Sequence, residues 1–369
     1  MDKVCIFCGQ KPESKNKEHI IPKWLLEMTG NPGRKVYLGR DWTHPKLIER
    51  KFGWSSFTFP TCRSCNYEYS KLESKTQLIM TQMLQDAPLS AEDFDNFLDW
   101  LDKVRTGLWL AMTYLNKNYR GLAPQFHIKQ RIAAKDRCVC IYRSTDTSPG
   151  IGISAVDTPI FHKMPSAFIL IVNQLHFVSI SYDFLVSRRI GWPYPAKRAL
   201  EGNKDGFWAS IVSGTERIQL PVLNYELKLG GTRIMQPIIH RDLALRGYDN
   251  LPVEYRSKYV EAMLNTPFSG KGLIYIEAEN SFAKYPSQPE IRWIPPETFT
   301  RNELMAELGL QIGQIQDDLF IDVPSMKWLS KERQKELQAE IAGVRQLHSK
   351  IMQHFFAQAE PFLSGKKGT

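Results

Sequence analysis

The chain of 369 residues is longer than one compact core usually organises, so its length predicts two or three domains. With 43% apolar and 24% charged residues, the composition excludes a chain that is disordered throughout. The net charge of +9 indicates an anionic partner, and residues 1–75 hold fourteen Lys or Arg against eight Asp or Glu, which leaves +6 in that fifth of the chain.

The amino terminus has no apolar leader, and no apolar run approaches the roughly 20 residues that a membrane-spanning helix needs. We therefore expect neither secretion nor membrane insertion. Six cysteines are few for this length, and a reducing, cytoplasmic location is expected.

The amino-terminal elements begin with a short strand and a tight turn over residues 3–9, where Gly9 supplies the backbone freedom that the turn needs. The chain re-enters the core with the sequence EHIIP at 18–22, and one helical turn follows. Residues 34–60 mix aromatic and basic side chains, which suits contact with phosphates and bases but also fits an ordinary solvated strand pair. Apolar residues at helical spacing then predict a helix over residues 66–84.

Two Cys-x-x-Cys pairs bracket this segment, Cys5 with Cys8 and Cys62 with Cys65. A two-residue gap lets both sulfurs of a pair face one ion, so the four thiolates can hold one Zn²⁺ tetrahedrally. Four sulfurs close such a site, which predicts a structural zinc. Any chemistry then falls to the polar residues beside it.

The order Cys-x-x-Cys, then Glu-His-Ile-Ile-Pro, then Cys-x-x-Cys-Asn resembles the zinc-containing HNH endonucleases of the ββα-metal class. The resemblance covers roughly residues 1–75. It implies a zinc-bound nuclease module, which we place at residues 1–85, with a β-hairpin that carries the acidic residue and the histidine and a helix after the second cysteine pair. It also implies that the protein cuts DNA.

The same resemblance implies that Glu18 and Asn66 bind a catalytic divalent cation and that His19 is the general base. Carboxylate and amide oxygens favour Mg²⁺ or Mn²⁺, distinct from the thiolate-bound Zn²⁺, and an imidazole of near-neutral pKa suits the base. The middle Asn of the family motif has no counterpart here. Four residues stay open for its role: His44, Ser55, Ser56 and Thr58.

Residues 86–369 are predicted to form a larger, mixed α+β body. Ser90, followed by acidic residues, is a good cap for an amphipathic helix over 91–116. Short runs rich in β-branched and aromatic residues then predict a mostly antiparallel sheet. Its strands are expected at 138–142, 150–156, 167–172, 175–181, 207–212, 217–223 and 273–278.

Two further features of the body leave alternatives open. Cys138 and Cys140 share one face of a predicted strand, and we interpret them as buried apolar side chains in preference to a second metal or redox site. A long helix is predicted over about 330–360, docked on the body or, alternatively, pairing two chains as a homodimer. The segment 245–330 has little periodicity apart from its one strand.

The sequence thus predicts a metal-dependent HNH endonuclease whose body selects the target or holds the nuclease inactive until a regulatory ligand or protein binds. Bacterial defence against foreign DNA is a common setting for such fusions. The alternative is a catalytically silent zinc-finger protein that binds nucleic acid.

Overall fold

The computed structural model describes eleven stretches of the chain. They are residues 4–14, 16–41, 48–53, 58–115, 124–190, 193–200, 207–213, 230–238, 270–278, 281–321 and 330–364. The strand predicted at 217–223 and three of the four candidates for the middle motif residue, His44, Ser55 and Ser56, lie outside these ranges.

The amino-terminal part has a ββα arrangement with an inserted ribbon. In chain order its elements are β1 (Asn16–His19), α1 (Lys23–Met28), β2 (Lys35–Asp41), β3 (Ile48–Gly53), β4 (Thr58–Thr61) and α2 (Arg63–Leu84). Strands β1 and β4 pair antiparallel, and β2 pairs antiparallel with β3. Helix α2 directly follows β4, so the strand pair and the helix form one unit.

The body begins with the predicted amphipathic helix, α3 (Ala91–Leu115), capped as expected because Ser90 and Asp93 bond reciprocally. A 3₁₀ turn (Ile128–Gln130) follows. The remaining elements are β5 (Asp136–Ser144), β6 (Ile151–Ser154), α4 (Pro159–Lys163), β7 (Ala167–Val172), β8 (Leu175–Tyr182), α5 (Leu185–Arg189), β9 (Pro193–Leu200), β10 (Phe207–Ser213), β11 (Thr232–Gln236), β12 (Tyr275–Ala278), β13 (Ser281–Lys284), β14 (Glu297–Phe299), α6 (Arg301–Ile321) and α7 (Lys331–Ser364).

Seven of the described body strands form one large sheet in the order β13-β12-β11-β5-β8-β7-β6, and every neighbouring pair in that order is antiparallel. Strand β14 adds a parallel pairing to β5, and β9 with β10 forms a separate ribbon. Asn173, with φ of +54°, makes the tight turn between β7 and β8. The prediction of an α+β chain with an antiparallel sheet and a carboxy-terminal helix is confirmed.

Helices cover both faces of this sheet. Helix α3 packs on one face, where Phe97 meets Phe177 edge to face at 5.1 Å between ring centroids. Helix α6 covers the other face with an apolar stripe that includes Leu304, Leu308 and Ile312. Its existence corrects the sequence interpretation, which found little periodicity there. None of the helices in the described ranges is both long and apolar enough to cross a bilayer.

The terminal helix α7 lies on the body. Arg345 pairs with both carboxylate oxygens of Asp317 on α6, each at 2.8 Å, and Lys163 on α4 bonds Glu340 at 2.5 Å. The apolar strand β5 buries Cys138 and Cys140 beneath α6, which agrees with their interpretation as buried side chains. The two ion pairs of α7 show that it docks on the body within one chain, whereas the homodimer stays a prediction.

The apolar core continues from the predicted module into the body. The predicted boundary at residue 85 lies in the turn between α2 and α3, and residues from both sides share one core cluster. Gly107 on α3 faces the EHIIP segment so closely that a Cβ there would lie 2.7 Å from Cδ1 of Ile20. Helix α3 therefore rests directly against the segment that carries the predicted catalytic residues.

Candidate metal centre

The four cysteines of the two pairs form one cluster. Their sulfur atoms all lie within 4.8 Å of one another, and Sγ of Cys8 is 3.7 Å from Sγ of Cys62. A tetrahedral zinc with Zn–S bonds of about 2.3 Å requires sulfur separations of about 3.8 Å. The donor set and its spacing fit one Zn²⁺ held by Cys5, Cys8, Cys62 and Cys65.

Local backbone structure holds both pairs in place. Gly9 follows the first pair with φ of +75°, and its N–H donates to the Cys5 carbonyl at 2.8 Å, which closes the predicted tight turn. Cys62 is the residue that precedes α2, and its backbone N–H donates to Sγ of Cys5 at 3.3 Å. Such N–H to sulfur bonds orient a ligand and stabilise its thiolate.

Burial opposes charge on most of these thiols. Burial raises the pKa of Cys62, and it raises the pKa of Cys65 to about 12. Burial also acts on Cys5, but backbone hydrogen bonds, led by the N–H of Cys62, outweigh it and lower the pKa of that thiol to about 7. A cation shared by the four sulfurs is what would let all of them be thiolates together.

Glu18 and His19 lie next to each other on β1, where successive side chains point to opposite faces. In the register of β1 with β4, His19 stands opposite Thr58 and Glu18 opposite Phe59. Thr58 is therefore the one candidate for the middle motif residue that the described chain places beside His19.

The electrostatic surroundings of His19 favour the neutral imidazole. Burial is the main cause that lowers its pKa, and the charges of Lys103 and Lys23 lower it further, while Glu18 opposes the shift. The imidazole is consequently neutral near pH 7 and able to accept a proton.

Glu18 belongs to a buried ion cluster that the sequence did not indicate. The ammonium group of Lys103, on α3, donates to Oε1 of Glu18 at 2.7 Å and also to Oε1 of Glu73 on α2. The indole N–H groups of Trp24 and Trp100 donate to Glu73 at 2.9 and 3.1 Å. We refer to these three charged residues as the Glu18–Lys103–Glu73 triad.

Lys103 is fully buried yet remains charged. Burial alone would lower the pKa of its ammonium group, but the charges of Glu73 and then Glu18 outweigh that effect and raise it. A sequence signal for this residue did exist, since Lys103 shares a helix face with Trp100 and Gly107 at spacings of three and four. A lysine on a face that packs inward requires a carboxylate partner.

Asn66 lies in the first turn of α2, directly after Cys65, and its backbone N–H donates to the Cys62 carbonyl at 2.9 Å. Within the described residues the Asn66 side chain makes no hydrogen bond, so no direct bond connects its amide to Glu18 or His19. Oε2 of Glu18 likewise has no hydrogen-bond partner in the described part of the chain. Two such oxygen donors, on neighbouring elements, have the chemistry that Mg²⁺ or Mn²⁺ prefers.

Comparison with known proteins gives no relative: no family model, no curated protein and no solved structure matches the chain.

Proposed function

We propose that the chain is a metal-dependent endonuclease of the HNH type that hydrolyses phosphodiester bonds of DNA. One observation carries the proposal: the zinc-fitting cysteine cluster lies where an antiparallel strand pair meets the helix that follows it. The strand pair bears Glu18 and His19, and the helix bears Asn66. This is the ββα order that the sequence motifs imply.

In the proposed mechanism, His19 removes a proton from a water molecule, and the water oxygen attacks the phosphorus. The bond from phosphorus to the leaving oxygen then breaks. Glu18 and Asn66 would hold the Mg²⁺ or Mn²⁺ ion, which neutralises charge on the phosphate and stabilises the leaving oxygen when it is bound. The lowered pKa of His19 keeps the imidazole able to accept the proton at neutral pH.

Charge supports a nucleic-acid substrate. The surplus of six positive charges in residues 1–75 falls to about +4 once four thiolates and one Zn²⁺ are counted. A module that keeps a positive charge attracts the phosphate backbone without regard to sequence. DNA, in preference to RNA, is part of the proposal because of the motif resemblance.

A second function, a catalytically silent zinc-finger protein that binds nucleic acid, is favoured by one observation. The ammonium group of Lys103 already contacts Glu18, and a buried cation there can stand in for a catalytic metal ion. Regulation by the body, in bacterial defence against foreign DNA, is a further part of the main proposal. The contact of α3 with Glu18 supports regulation by the body, whereas the setting in defence rests on the motif resemblance alone.

The test is cleavage of supercoiled plasmid by the zinc-loaded full chain with Mg²⁺ or Mn²⁺. We expect the native chain to produce nicked and linear plasmid. We expect His19→Ala to lose about 10²- to 10⁴-fold in rate with unchanged zinc content and melting temperature. The control His354→Ala, on α7, should cut like the native chain.

Retention of DNA without strand breaks by the native chain would support the zinc-finger alternative. Equal cutting by His19→Ala and the native chain would show that another group is the base.

A further inference from the structure

We propose that Lys103, on the first helix of the body, is a positioning residue for the catalytic cation: it fixes one carboxylate oxygen of Glu18 and leaves the other to bind the metal ion. This inference rests on the proposed function, because it takes Glu18 as a ligand of that ion.

The contact geometry shows how the carboxylate is restrained. Lys103 bonds Oε1 of Glu18 at 2.7 Å, and the exposed fractions of the two side chains are 0% and 13%. Within the described residues, Oε2 has no partner. A buried ammonium group on one oxygen limits rotation of the carboxylate, so the second oxygen is held in place before a cation arrives.

Charge sharing explains why Lys103 does not simply replace the metal ion. The ammonium group bonds Glu73 as well as Glu18, so the Glu18–Lys103–Glu73 triad carries a net charge of −1. A lysine paired with Glu18 alone would cancel the charge of that carboxylate. Glu73 therefore preserves the negative charge that a divalent cation requires.

The surroundings of Lys103 connect the triad to the cysteine cluster. The ammonium group lies 5.8 Å from the ring centroid of Phe7, between Cys5 and Cys8 in the chain. The ring of Phe7 in turn stacks on that of Tyr69, on α2, with 4.1 Å between the ring centroids. The turn that carries Cys5 and Cys8 thus encloses Lys103 together with α2 and α3. Through Lys103, the body supplies a residue without which the proposed Mg²⁺ or Mn²⁺ site is incomplete.

The informative variant is the double substitution Lys103→Met with Glu73→Gln. It keeps the net charge of the triad at −1 and removes the hydrogen bond to Glu18. Trp24 and Trp100 donate to different oxygens of Glu73, so the glutamine oxygen remains as acceptor for one of the two indoles. The matched control is Lys75→Met with Glu92→Gln, an exposed pair at 3.5 Å that joins the same two helices.

Binding of Mn²⁺ to the zinc-loaded full chain, measured by calorimetry and by electron paramagnetic resonance, provides a readout independent of cleavage. We expect the double variant to bind Mn²⁺ about 10- to 100-fold more weakly than the native chain, because lost support of a metal ligand has effects of that size. The Mg²⁺ concentration for half-maximal cleavage should rise by a similar factor. The control should match the native chain in both.

Single substitution Glu73→Gln tests the charge-sharing step in a chain that keeps Lys103. We expect weaker Mn²⁺ binding here too, since the lysine charge then falls on Glu18 alone. If this variant binds Mn²⁺ as the native chain does, charge sharing is wrong, and this holds even where the double variant does not fold.

Unchanged Mn²⁺ affinity in a folded double variant would reduce Lys103 to a structural role, and tighter binding would show that it competes with the cation; either result overturns the inference. Failure of the proposed function is distinguished by Glu18→Gln. If that substitution leaves Mn²⁺ binding unchanged, Glu18 is not a ligand, whatever Lys103 does.

Discussion

Lys103→Met alone is the substitution whose effect on stability the structure defines best. It removes the cation between two carboxylates. Glu73, whose side chain is 12% exposed, then keeps two indole N–H donors but has no positive partner among the described residues. Breaking a buried ion pair by removal of one partner destabilises proteins by about 3–5 kcal/mol. The free energy of unfolding of many proteins is only about 5–15 kcal/mol, so we expect a large fall in the urea concentration at the unfolding midpoint.

Two comparisons isolate the cause of that loss. Adding Glu73→Gln to Lys103→Met removes the unpaired charge of Glu73 but leaves that of Glu18, so the double variant should regain part of the lost stability. The exposed Lys75→Met removes the same kind of ion pair between the same helices, and surface pairs contribute only about 0–1 kcal/mol.

Urea denaturation monitored by tryptophan fluorescence suits this series, because Trp24 and Trp100 both contact Glu73 and their rings lie 6.0 Å apart. Lys103 does not stabilise the chain as a buried ion-pair partner if Lys103→Met destabilises it no more than Lys75→Met does, or if the added Glu73→Gln destabilises it further.

Three more outcomes follow from the contacts around the zinc-fitting cluster. Cys62→Ser should lose zinc, unfold the amino-terminal unit and abolish cutting; a variant that retains one zinc and full activity would contradict this. Gly107→Val should destabilise the chain by about 1–3 kcal/mol through overpacking against Ile20, and Ile20→Ala should show favourable coupling with it in a double-mutant denaturation cycle. Asn66→Ala should keep zinc and melting temperature but weaken Mn²⁺ binding in calorimetry, whereas unchanged affinity would remove Asn66 from the metal site.

The fold elements that depend on local sequence were predictable. Strand β7 begins and ends where the sequence predicts it, because period, flanking turn residues and burial agree over a short span. The sequence does not predict helix α6, although its apolar residues recur at spacings of three and four, because prolines and mixed polarity before the helix obscure the pattern. Its apolar face became evident only against the sheet.

The candidate site also has one part that local sequence predicts and another that depends on packing between distant elements. Cys-x-x-Cys spacing alone predicts that the four sulfurs meet, since a tight turn fixes the first pair and the start of α2 fixes the second. The contact of Lys103 with Glu18 joins residues 85 positions apart and depends on how α3 packs against α2. No local pattern encodes that approach, although Gly107 permits it. The proximity of Thr58 to His19 likewise required the register of two strands.

The proposed function depends on one zinc ion that would join the amino-terminal turn to the start of α2. X-ray absorption at the zinc edge, combined with metal analysis of the purified full chain, measures this directly. We predict one zinc per chain with four sulfur ligands at about 2.3 Å, consistent with the four clustered sulfur atoms. A chain that folds without zinc, or a zinc with nitrogen or oxygen in place of any of the four sulfurs, would contradict the account.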